Sequence, residues 1–115
     1  MGETATTRQL KVAKQIQKDL AEMIRERGMA AYKGAMVTVS GVKISPDLAL
    51  AKAYVSIFPS DKAAEVMRIL DEEKGKLRGE LGRRVSKQLR IVPDLSFFLD
   101  DSLDYVEHID ELLKR

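Results

Sequence analysis

The chain has no cysteine, a single histidine and few aromatic residues, three tyrosines and three phenylalanines. Without cysteine there is no disulfide, no zinc–thiolate site and no thiol nucleophile, a composition that suits a reducing, cytoplasmic setting. The one histidine, His108, lies in an acidic C-terminal stretch and reads as a surface residue. No Ser/His/Asp arrangement and no glycine-rich phosphate loop accompanies it. Asp100, Asp101 and Asp104 do not have the spacing of a calcium loop and read as a turn with a helix cap. An enzyme is therefore not expected, and neither is a metal or a cofactor. Nor does any apolar run reach the roughly 18 residues that cross a bilayer, so no membrane association is expected. The N-terminus lacks the charged-then-apolar layout of a secretory signal. Met1-Gly2-Glu3-Thr4-Ala5-Thr6 fits only the permissive string for myristoylation, and is read as incidental.

What remains is 115 residues of ordinary apolar content, 44%, which suits one domain over 1–115 with an ordered core at about 6–113. A domain of this size buries roughly two thirds of its unfolded surface and can fold alone as a monomer. The net charge of +2 points to no partner, but the charge is sorted along the chain. Residues 74–90 carry Lys74, Lys76, Arg78, Arg83, Arg84, Lys87 and Arg90 against Glu80 alone. Residues 8–18 carry Arg8, Lys11, Lys14 and Lys18 with no acid, and residues 94–115 are acidic. Such polarity can orient a polyanion.

Periodicity gives the elements. Thr6 or Thr7 caps a first helix of about 20 residues. Its buried face is Val12, Ala13, Ile16, Leu20, Met23 and Ile24, and Gly28 ends it. A loop over 28–35 follows. Val37 and Val39 alternate with polar neighbours, then the apolar parity switches to Val42 and Ile44, which predicts a β-bulge at Ser40-Gly41. Pro46-Asp47 turns the chain. A second strand over about 48–58 places Ala49, Ala51, Ala53, Val55 and Ile57 on one face. A second helix, capped by Ser60 or Asp61, carries Ala64, Met67, Ile69 and Leu70. Gly75 predicts a kink, after which a third helix buries Leu77, Leu81, Val85 and Leu89. Pro93 ends it. Leu95, Phe97 and Leu99 alternate as a third strand, and a short helix over about 103–114 closes the chain. The fold class is α+β, of KH type II-like order: α-β-β-α-kink-α-β, a three-stranded sheet with its helices packed on one face, plus the C-terminal helix.

Two surfaces suit nucleic acid. Lys76, Arg83, Lys87 and Arg90 fall within about 60° of one another on the third helix, away from its leucine stripe. A row of like charge on one helix edge can track phosphates, whereas a merely solvated face usually mixes signs. Arg84 and Arg78 are nearby. Arg8, Lys11, Lys14 and Lys18 form a second, less marked row on the first helix. Gly79-Glu80-Leu81-Gly82 matches the GxxG string of KH modules. It is not read as a phosphate clamp, because Leu81 belongs to the buried stripe and Glu80 repels phosphate. Tyr54 and Phe98 have outward parity, which suits either an exposed docking patch or burial under a terminal segment.

The stretch Met36-Val37-Thr38-Val39-Ser40-Gly41-Val42-Lys43-Ile44-Ser45-Pro46-Asp47-Leu48-Ala49, continuing into Ala51-Lys52-Ala53-Tyr54-Val55-Ser56, resembles the central hairpin of the ribosome-binding factor A family. Leu89-Arg90-Ile91-Val92-Pro93-Asp94-Leu95-Ser96-Phe97-Phe98-Leu99-Asp100-Asp101-Ser102 is similar to the family's end, and Arg8-Gln9-Leu10-Lys11-Val12-Ala13 to its opening. The resemblance implies a KH type II fold with a helix-kink-helix at Gly75. It also implies a cytoplasmic, non-enzymatic role in ribosome biogenesis and cold adaptation. The partners it implies are 16S rRNA, free or immature 30S subunits and assembly GTPases, with late processing near the 5′ end of the rRNA. A protein-interaction module docking through the sheet face or the acidic C-terminal helix is the alternative reading.

Overall fold

The computed structural model describes residues 7–85 and 92–100. Helix α1 runs from Thr7 to Arg27 and strand β1 from Met36 to Ile44. Strand β2 spans Leu50–Phe58, helix α2 Ala63–Val85 and strand β3 Asp94–Leu99. The sheet order is β1-β2-β3; β1 and β2 are antiparallel, β2 and β3 parallel. The parallel pair forces the long crossover through α2.

The bulge lies where the parity switch placed it. Val39 pairs with Val55 and Gly41 with Tyr54, so Ser40 is the extra residue. Val39 and Ile44 thereby share the buried face, with Val37 and Val42 packed beside them. Opposite them, Ala51, Ala53, Val55 and Ile57 of β2 are buried, and the two alanines bring the helices close to the sheet. Ala49 falls before the strand and is exposed. In β3, Leu95 is buried and Phe97 packs on the core, while Leu99 at the strand's end is exposed. Both helices lie on this one face. All six apolar positions foreseen for α1 are buried, joined by Asp19, which accepts a hydrogen bond from Gln15 Nε2 at 2.9 Å.

Two expectations are corrected. The pair of helices foreseen around Gly75 is one continuous helix, α2, without interruption at that glycine. Val66, Leu70, Leu77, Leu81 and Val85 are all buried and keep a single phase across it. Burying that stripe outweighs the cost of one helical glycine, about 1 kcal/mol. Within the stripe Val66 takes the place foreseen for Ala64, which is exposed. The second correction concerns 28–35, which is not a plain loop. Gly28, at φ +82°, ends α1 and leads into a 3₁₀ turn, Met29–Tyr32, which buries Tyr32. Leu89, the cap at Thr6 and the C-terminal helix lie outside the described residues.

Candidate nucleic-acid interface

The charges of the helical layer divide into those bound within the fold and those left facing solvent. Arg27 lies 3.7 Å from Glu73 and 3.4 Å from Glu80, tying the end of α1 to α2. Arg84 on α2 is bonded to Glu26, lies 3.2 Å from Glu80 and 3.6 Å from Glu22. Its hydrogen bond to Glu26 raises the guanidinium's pKa above its ordinary value, helped by the charges of Glu26 and Glu80. Lys74 pairs with Asp71 one turn earlier. Arg78 straps the chain entering β3: Nη2 donates to Val92 O at 2.8 Å, and Nε lies 3.2 Å from Asp94 Oδ1. The chain passes so near α2 there that a Cβ on Gly82 would stand 3.1 Å from Val92 Cγ2.

This sorting redistributes the foreseen site. Arg84 and Arg78 are engaged in holding the fold. Lys76 and Arg83 are exposed on the solvent side of α2, and Lys87 and Arg90 lie outside the described residues. On α1, Arg8, Lys11, Lys14 and Lys18 are all exposed and have no ion pair among the described residues. Arg25, which the sequence reading missed, extends the same row. Lys11, Lys18 and Arg25 are spaced by seven residues, two helical turns, so they share one face. Glu22 and Glu26 hid it, because in sequence they interrupt the basic run. In the fold Arg84 draws both toward α2, and the outer face of α1 is left cationic. The heptad spacing was the signal that could have revealed Arg25.

Gly79 and Gly82 both lie inside α2, Leu81 between them is buried, and Glu80 is salt-bridged to Arg27 and Arg84. The GxxG string is thus helix interior and not a phosphate-binding loop. Among the described residues no group of three or more His, Cys, Asp or Glu side chains could hold a metal ion. No described helix is long and apolar enough to cross a membrane. An open groove of about 410 Å³ between the end of α1 and β1 is lined mainly by apolar side chains, among them Ile24, Met29, Met36 and Val37.

Comparison with known proteins places this architecture. The model of the family described as ribosome-binding factor A matches residues 8–113. The ribosome-binding factor A of Christiangramia forsetii is 43% identical over 113 residues, 95% of this chain and 84% of that protein. The crystal structure of ribosome-binding factor A from Thermus thermophilus superposes with a TM-score of 0.67 at 26% identity, over 79% of this chain and 94% of that one. A homology model of the T. thermophilus factor, fitted into the cryo-EM map of its complex with the 30S subunit, gives a TM-score of 0.62 at 28% identity, covering 76% and 90%. Hairpin, bulge, crossover helix and parallel third strand together with these likenesses show that the chain belongs to the ribosome-binding factor A family.

Proposed function

We propose that this protein is a ribosome assembly factor that binds the free or immature 30S subunit through its 16S rRNA. The observation that carries the reading is the exposed row Lys11, Lys14, Lys18 and Arg25 on α1, flanked by Arg8, with no ion pair among the described residues. Lys76 and Arg83 are exposed on α2, and by sequence spacing Lys87 and Arg90 belong to the same foreseen row. A row of this kind suits folded RNA, whose closely spaced phosphates reward several cations held in register. Membership of the family, and the 30S complex of its T. thermophilus member, support the small subunit as the particle bound. The mechanism is stoichiometric. Binding one rRNA conformer better than another shifts the population toward it and needs no covalent step. In this reading the protein works in the cytoplasm during late maturation, when the 5′ end of 16S rRNA is processed, beside assembly GTPases.

Co-sedimentation through sucrose gradients with mature and immature subunits tests the proposal. The wild-type chain should travel with free small subunits, and Lys11→Glu/Lys14→Glu/Lys18→Glu should remain at the top of the gradient with its fold intact. Equal sedimentation of both proteins would move the site off α1.

A further inference from the structure

The face of the sheet turned away from the helices carries a second arrangement. Beyond the bulge, Lys43 of β1 stands directly opposite Lys52 of β2, which pairs in turn with Ser96 of β3. One step along, Gly41, Tyr54 and Phe98 form the next outward row. The Tyr54 and Phe98 rings lie 5.6 Å apart between centroids, inclined by 30°. Lys43 Nζ is 5.8 Å from the Tyr54 centroid and Lys52 Nζ 6.0 Å from that of Phe98. Both lysines are exposed without an ion pair among the described residues, and Phe98 is 41% exposed. Two like charges directly opposite in an antiparallel pair weaken a sheet. Here they frame an aromatic pair, so an anion arriving between them relieves the repulsion. On the other side of the rings Asp100 accepts a hydrogen bond from Ser40 Oγ at 2.6 Å and caps the sheet with negative charge.

We propose that this face binds an unpaired RNA nucleotide, its base stacked on Tyr54 and Phe98 and its phosphate between Lys43 and Lys52. Aromatic side chains on an open sheet face hold splayed bases in this way in other RNA-binding modules. The charge gradient orients the ligand: the phosphate lies at the lysine end, away from Asp100. The helical layer lies between this site and the cationic row of α1, so one RNA-binding protein would present two faces, one to folded RNA and one to a single strand. The inference extends the RNA-binding reading but stands on different residues.

The test uses the full chain and a uridine-rich hexanucleotide carrying one fluorescent adenine analogue, whose emission falls on stacking. Wild type should quench the probe, and Tyr54→Leu/Phe98→Leu should weaken binding by about tenfold, the loss of one stacked base. Lys43→Glu/Lys52→Glu should weaken it at least as much, with circular dichroism unchanged in both variants. The α1 charge-reversal variant should still quench the probe while failing to sediment with small subunits, which separates this site from the proposed function. Quenching that persists in both sheet variants, or that is lost only in the α1 variant, overturns the inference. It is also overturned if the full chain does not bind the probe and a chain ending at Asp100 does, for then the acidic C-terminal segment is what the lysines receive.

Discussion

Arg84 of α2 is hydrogen-bonded to Glu26 of α1, and through that contact the second helix decides the surface charge of the first. With Glu22 also drawn to Arg84, at 3.6 Å, the outer face of α1 presents cations alone. Arg84→Ala should therefore have two effects. Stability in urea unfolding should fall only slightly, because the ion pairs lost are screened by solvent. Affinity for small subunits should also fall, because the freed carboxylates compete for the neighbouring lysines, and Glu22→Gln/Glu26→Gln in the same chain should restore it. Affinity that stays low in the triple variant would mean that Arg84 itself contacts the particle.

The three glycines of α2 should respond differently to alanine. A Cβ at Gly75 or Gly79 meets nothing within 4 Å, so Gly75→Ala and Gly79→Ala should each stabilise the helix by up to about 1 kcal/mol. At Gly82 the new methyl presses on Val92, and Gly82→Ala should forfeit that gain or destabilise. Urea midpoints of the three variants check this; equal gains at all three would show that the strand-entry segment yields freely.

Tyr32 is buried at 1% exposure, and its hydroxyl has no hydrogen-bond partner among the described residues. Burial, the largest cause, raises its pKa above 10.0; Arg27 opposes the shift, and Glu73 and Glu80 add to it. With the folded pKa raised, the unfolded chain loses the proton first. Stability is full below pH 10 and falls as pH climbs from there through the folded pKa. Tyr32→Phe should flatten that alkaline decline and leave neutral-pH stability equal or higher by about 1 kcal/mol, since an unbonded buried hydroxyl is removed. Thermal melts from pH 7 to 11 measure it, and an unchanged alkaline slope would contradict the assignment.

Deleting Ser40 removes the bulge. Val39 and Ile44 are then four residues apart, an even number, so the two-residue period of a regular strand keeps both on the buried face and keeps their pairing with Val55 and Ala51. The loss should therefore be small, about 1 kcal/mol, the scale of the forfeited hydrogen bond from Ser40 Oγ to Asp100. A chain lacking Ser40 that loses several times as much in a thermal melt would mean that the bend and twist of the bulge, and not parity alone, hold the sheet together.

The bulge also shows what was legible in the sequence. Strand parity has a period of two, so a single switch between Val39 and Val42 marks an inserted residue without any knowledge of tertiary contacts. The α1 face was equally readable, since its apolar residues recur at three- and four-residue steps. Two helices were foreseen around Gly75 because its propensity was weighed locally, while the buried stripe from Val66 to Val85 runs through it in one helix. Tyr32 was missed because a short 3₁₀ turn has no long period to betray which side chain turns inward. The functional charges were the least legible part. Whether a cation is available depends on which carboxylates reach it across elements, and neither Arg84 with Glu22 and Glu26 nor Arg78 with Asp94 is a pairing that spacing reveals. Of the row foreseen on α2, Lys76 and Arg83 are exposed among the described residues, and the row on α1 is longer than the sequence indicated.

The central claim is that the exposed cationic row of α1 binds the RNA of the small subunit. Its most direct test is the affinity of the protein for purified free small subunits measured across a salt series, for wild type and for Lys11→Glu/Lys14→Glu/Lys18→Glu. Each phosphate contact contributes roughly 0.7 to 0.9 to the slope of log affinity against log salt. The account predicts a steep negative slope for wild type, and for the variant an affinity lower by well over about tenfold with a slope shallower by about two to three. A salt-independent affinity, or identical curves for the two proteins, would contradict it.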